Sequence, residues 1–116
     1  MDYKVWQKSM DLVTEIYQVT AVFPNEERFG LSSQVRRAAV SVPSNIAEGH
    51  GRKATGAYLN HLSIAYGSLM EIETQVQIAL RLEFISADAA STLLDKTVEI
   101  AKMLNGLKKS LSTKDA

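Results

Sequence analysis

The chain has 116 residues, 46% of them hydrophobic and 22% charged, a balance that suits one globular domain over residues 1–116 and excludes a disordered polymer. It has no cysteine, which excludes a disulfide framework, a thiolate metal site and a cysteine nucleophile. Thirteen basic side chains balance thirteen acidic ones, yet residues 28–53 carry Arg28, Arg36, Arg37, Arg52 and Lys53 against Glu48 alone.

The opening stretch, "MDYKVWQKSMDLVTEIY", scatters charge through its apolar residues. A signal peptide and a membrane span are therefore not expected, and a cytoplasmic location is. The spacing predicts a first helix from Tyr3 to Val22, with Trp6, Met10, Val13, Ile16 and Tyr17 on its buried face and Asp2 as N-cap. "FPNEERFG" ends it, because Pro24 cannot continue a helix and Gly30 can take a positive φ. A second helix is expected from Leu31, burying Val35, Ala38, Ala39, Val42 and Ile46, with Ser32 or Ser33 as cap. Pro43 should kink or restart it, and Asn45 is placed to satisfy freed backbone groups.

The third segment, 55–82, repeats Leu62, Ala65, Leu69, Ile72, Val76 and Ala79 without a miss, with Thr55 as the expected N-cap. "EFISAD" breaks the pattern before a fourth helix. Ser86 caps that helix, Asp88 suits its positive end, and Ala90, Leu93, Thr97, Ile100, Leu104, Leu107 and Leu111 line one face. Lys108 and Lys109 suit its C-terminus. No segment alternates as a strand does. The expected architecture is all-α, an antiparallel up-down four-helix bundle with a kinked second helix.

The apolar faces exceed what four helices bury against each other. Tyr58, Leu59, Tyr66, Leu80 and Leu82 widen the third helix, and Leu94, Val98 and Ala101 widen the fourth. Gly67 lies mid-helix with Ser63 and Ser68, at a helix-propensity cost of about 1 kcal/mol relative to alanine. Close approach of another helix would offset it, inside the bundle or across a subunit boundary. A homo-oligomer is the expectation.

"GHGRKATG" has the look of a phosphate loop, but such loops follow a strand and need Gly-Lys-Ser/Thr in order. The looser expectation is that Arg52 and Lys53, at the start of the third helix, hold a backbone phosphate. His50 and His61 lack the spacing and carboxylates of a metal set, so no metal or other cofactor is expected. No catalytic constellation emerges, and an enzyme is not expected. Glu73 falls on an apolar strip and needs a partner, for which Arg36 and Arg37 are placed. Glu48 opposes the dipole at the end of the second helix and would pair with Arg52 or the next helix N-terminus. Two readings follow. Arg36, Arg37, Arg52 and Lys53 form a basic cluster for RNA or DNA, or Glu48 and Glu73 consume them inside a structural or protein-interaction scaffold.

"VWQKSMDLVTEIY", "FPNEERFGLSSQVRRAAVSVPSNIAEGHGR" and "YLNHLSIAYGSLMEIETQVQIALRLEFI" together resemble the four-helix-bundle proteins encoded in intervening sequences of bacterial 23S ribosomal RNA genes. The resemblance covers all but the tail of the last helix. It implies a small bundle that assembles as a ring-like homopentamer. The chain is also similar to the accessory protein of diversity-generating retroelements, whose likeness implies association with nucleic acid.

Overall fold

Each of the four periodic stretches becomes a helix that buries its apolar stripe against neighbours. The computed structural model describes residues 3–114, so Asp2, the expected first cap, lies outside the described residues. Helix α1 spans Tyr3–Thr20, a 3₁₀ turn covers Asn25–Glu27, and α2, α3 and α4 span Leu31–His50, Thr55–Arg81 and Ala87–Lys114. No strand occurs among the described residues. Helix α1 packs on α2 and α4, and α3 packs on the same two. Cross-helix pairs run in opposite senses along the chain. Lys8 meets Glu99 while Glu15 meets Lys96, and Ser41 meets Ser68 while Asn45 meets His61. These pairs make the bundle antiparallel, and it extends 48 Å along its axis and 24 × 19 Å across.

The stripes of α3 and α4 are buried as expected, from Leu62 to Ala79 and from Ala90 to Leu104. Helix α1 is rotated from its expected face. Val5, Ser9, Leu12, Ile16 and Thr20 point inward, while Met10 and Tyr17 are 42% and 43% exposed. Ser9 and Thr20 fit the core because their hydroxyls donate back to the carbonyls of Val5 and Ile16, at 2.8 and 2.7 Å.

The caps differ from expectation at two helices. Neither serine caps α2; the Leu31 N–H donates to Glu27 Oε1 at 3.0 Å. Thr55 is the first residue of α3, and the preceding Ala54 supplies no side-chain cap. Ser86 does cap α4, accepting from the Ala89 N–H at 3.1 Å. Helix α2 continues through the buried Pro43 as one helix rather than restarting. Asn45 Nδ2 donates to the Ser41 carbonyl at 2.9 Å. It thus serves its own turn and not the Ala39 carbonyl that the proline ring deprives of a donor.

Gly30 keeps a negative φ of −107°. The left-handed residue is Glu83, at φ 62°, where α3 ends. Around it the Phe84 N–H donates to the Ala79 carbonyl at 2.9 Å and the Glu83 N–H to Leu80 at 3.1 Å. That is a Schellman closure, and glycine usually occupies its left-handed position. It brings Phe84 to 5.7 Å from the Phe23 ring, sealing that end of the core. Glu83→Gly should raise stability by about 1 kcal/mol, read from the denaturant midpoint.

On the α1–α4 seam Lys8 donates to Glu99 Oε1 at 2.6 Å. This bond, the Lys8 charge and the more distant charges of Lys4 and Lys96 hold the Glu99 carboxyl below the usual glutamate range. A lowered folded-state pKa stabilises above that range, and the contribution is lost as pH falls through the lowered value. Glu99→Gln should therefore lower the thermal midpoint slightly at neutral pH and low salt. The gap from wild type should close on acidification.

Candidate functional site: the α2–α3 corner and the basic end

The α2–α3 corner is set by how closely the two helices meet. A Cβ on Gly49 would stand 2.8 Å from His61 Cβ and 2.8 Å from Tyr58 Cδ1, so the helices approach through this glycine. A polar chain runs along the seam beside it. Asn45 Nδ2 is spent on Ser41, which leaves Oδ1 facing His61 Nδ1 at 2.9 Å. That oxygen can only accept, so Nδ1 carries the proton. Ser68 Oγ donates to Ser41 Oγ at 2.9 Å and extends the chain one turn further.

Glu48 is directed to His61 Nδ1, at 3.7 Å, and forms no ion pair with Arg52. His61 is largely buried on the α2–α3 seam. His50 is the last residue of α2, and its ring stands edge-on to Tyr58 at 6.0 Å. Glu73 is half-buried and has no ion-pair partner among the described residues. The expected pairing of Glu73 with Arg36 or Arg37 does not form. Glu73 instead lines a shallow depression with Thr74, Gln77, Ile78 and Arg81.

The four basic candidates are not one cluster. Arg36 is committed to the α1–α2 seam, where Nε donates to Thr20 Oγ1 at 2.7 Å and Nη2 to the Tyr17 carbonyl at 3.3 Å. Its guanidinium carbon sits 4.6 Å from the centre of the Tyr17 ring. Arg37 is exposed and lines an open α2–α3 groove with Ser41, Ser68 and Glu71. Arg52 and Lys53 are exposed at the corner, roughly 20 Å further along at 1.5 Å per helical residue. None of these last three makes an ion pair among the described residues.

The corner shares its end of the bundle with the start of α1 and the last turns of α4, which bring Lys4, Lys108 and Lys109. Lys108 Nζ lies 5.6 Å over the Tyr66 ring. The opposite end carries Glu26, Glu27, Glu83 and Asp88 with Arg28 and Arg81. Sequence reasoning saw Lys108 and Lys109 only as partners of their own helix dipole. Their distance in sequence from Arg52 hid the juxtaposition, and helix order with short connections was the signal for it.

A second feature lies on the α1–α2 face. Trp6, Met10, Val13, Val40, Pro43 and Ala47 line an open, almost wholly apolar groove of about 410 Å³. Met10 and Tyr17 stand seven residues apart on this face, as do Trp6 and Val13. Ser63 and Gly67 are exposed on α3, and a Cβ on Gly67 would meet nothing within 4 Å, so no helix of the same chain closes on it.

The sequence pattern of the 23S rRNA-intervening sequence proteins matches residues 1–106. The chain belongs to that family. A crystal structure from Bacteroides thetaiotaomicron, described as a protein of unknown function from the S23 ribosomal protein family, superimposes with a TM-score of 0.84 at 27% identity. The match covers 93% of this chain and 97% of that one. No protein with a curated description matches. The family likeness thus extends over all four helices, but the related structure brings no assigned activity to the corner or the groove. Among the described residues, no three His, Cys, Asp or Glu side chains group to hold a metal, and no helix is long and apolar enough to cross a membrane.

Arg36 and Arg37 separate experimentally. Arg36→Ala should cost about 1–3 kcal/mol through its lost hydrogen bonds and ring contact. Arg37→Ala should stay within about 0.5 kcal/mol of wild type in the same denaturation series.

Proposed function

We propose that the protein is a non-enzymatic, oligomeric module that binds structured RNA through exposed basic side chains. The observation that carries this reading is the pair Arg52 and Lys53, solvent-exposed beside the side-chain-uncapped start of α3 and unpaired among the described residues. A folded protein that needed these charges for its own stability would pair them, whereas phosphate oxygens are suited to such donors. The family's name ties its members to an intervening sequence of ribosomal RNA, which makes RNA the first ligand to test.

The apolar α1–α2 face and the open surface at Ser63 and Gly67 support self-association, with the ring-like pentamer implied by the resemblance as the arrangement to look for. In an oligomer the corner pair would be repeated, and modest contacts would add as avidity. A scaffold that binds no nucleic acid is the second reading, favoured by the same apolar face and by Arg36 being spent inside the fold.

Salt titration of binding to a fragment of 23S ribosomal RNA distinguishes the two. On the RNA reading the log affinity falls linearly with log salt, and Arg52→Glu with Lys53→Glu lowers the slope by about 1.5–2. Sedimentation of the same samples should show an oligomer, and Met10→Glu should shift it toward monomer with helicity kept. Wild-type protein that sediments as an oligomer yet shows no salt-dependent RNA binding would establish the scaffold reading.

A further inference from the structure

We infer that RNA docks end-on, against a surface shared by the α2–α3 corner and the last turns of α4, and that its unpaired nucleotides are what that surface holds. This rests on the RNA-binding reading above and specifies its site. Arg52 and Lys53 are far in sequence from Lys108 and Lys109, but the antiparallel order brings the last turns of α4 to their end of the bundle, where Lys109 is exposed and Lys108 turns back over the Tyr66 ring. The pairing of Lys8 with Glu99, midway along α4, sets the start of α1 beside the turns of α4 that follow Glu99. In the two helical turns nearest this end, counted on each helix, Glu48 is the one carboxylate among the described residues, and it faces His61.

Neutral net charge does not cancel this patch. The acidic residues at the other end are separated from it by most of a 48 Å axis, several Debye lengths at about 8 Å each in physiological salt. A phosphate at the basic end therefore feels the local charge, and the acidic end disfavours a duplex lying along the flank. Arg37 sits on that flank beside Glu71, which makes it a poor phosphate site. The basic end also presents rings. Tyr3 is 62% exposed and His50 is exposed at its edge-on contact with Tyr58. Lysines and arginines tracking a backbone, with rings on which bases stack, are what unpaired nucleotides require.

The test titrates salt against a labelled RNA hairpin carrying a single-stranded overhang and against a blunt duplex of equal length. Wild type should favour the hairpin. Lys108→Glu with Lys109→Glu should weaken binding about tenfold or more and flatten the salt slope, as should charge reversal at Arg52 and Lys53. Arg37→Glu should leave affinity within about twofold. Lys109→Glu alone, at an exposed position, carries the test if circular dichroism shows the double variant unfolded. Wild-type affinity in the α4 variants, loss of binding in Arg37→Glu, or preference for the blunt duplex overturns end-on docking and leaves RNA binding standing. Absence of salt-dependent RNA binding by wild type overturns both, as does binding to phosphatidylserine vesicles in place of RNA.

Discussion

The close approach of α2 and α3 at Gly49 is the constraint from which the rest of the site follows. Without a Cβ there, Tyr58 and His61 can lie directly on the α2 backbone. The two helices then stay in contact to the last turn instead of splaying apart. That contact makes the four-residue connection 51–54 sufficient, and it fixes where Arg52 and Lys53 leave the bundle. The Ser41–Asn45–His61 chain locks the register along the same seam. A hydrogen-bonded chain of this kind tolerates no one-turn slip, whereas an apolar seam alone would. Glu48, turned toward His61, then leaves the neighbouring cations to solvent.

Much of the fold was legible because α3 and α4 each carry one dominant stripe. Leu62 to Ala79 and Ala90 to Leu104 were placed inward by period alone, and the helix starts at Leu31, Thr55 and Ala87 agree with the punctuation around them. Helix α1 defeated the same method for a physical reason. It carries two interleaved apolar seams, and of the richer one Met10 and Tyr17 are exposed while Trp6 and Val13 are half-buried at the edge of the core. The inner seam includes Ser9 and Thr20, which count as polar in a pattern but bond back to their own helix and bury cheaply. Periodicity reports that a face is apolar, not which partner covers it. The Schellman turn at Glu83 was equally hidden, since no glycine marks it.

The charge reading shows the same division between what a chain holds locally and what topology assembles. Segment sums pointed to residues 28–53, yet that segment runs from one end of the bundle to the other, with Arg28 before α2, Arg36 and Arg37 on it, and Arg52 and Lys53 after it. One packs on Tyr17, one faces a groove, and the last pair stands at the corner. The expected ion pairs of Glu48 and Glu73 do not form: Glu48 turns to His61, Arg36 is spent on α1, and it is Glu71 that shares the α2–α3 groove with Arg37 while Glu73 lines a depression among residues of α3. The juxtaposition that matters electrostatically joins residues from opposite ends of the sequence. It requires helix order, which composition does not contain.

The apolar α1–α2 face and the basic end are orthogonal surfaces, one along the flank and one across the tip, so occupying the first leaves the second free. This separation bears on the function proposed. If copies associate side by side through the flank in a ring, their axes run in a common sense and every basic tip faces the same way. The acidic tips then gather on the other side. A protein with zero net charge would in that arrangement present one strongly positive surface and one strongly negative one, separated by more than the screening length. Neutrality of the chain and affinity for a polyanion are therefore compatible, provided the charge is sorted along the axis that assembly preserves.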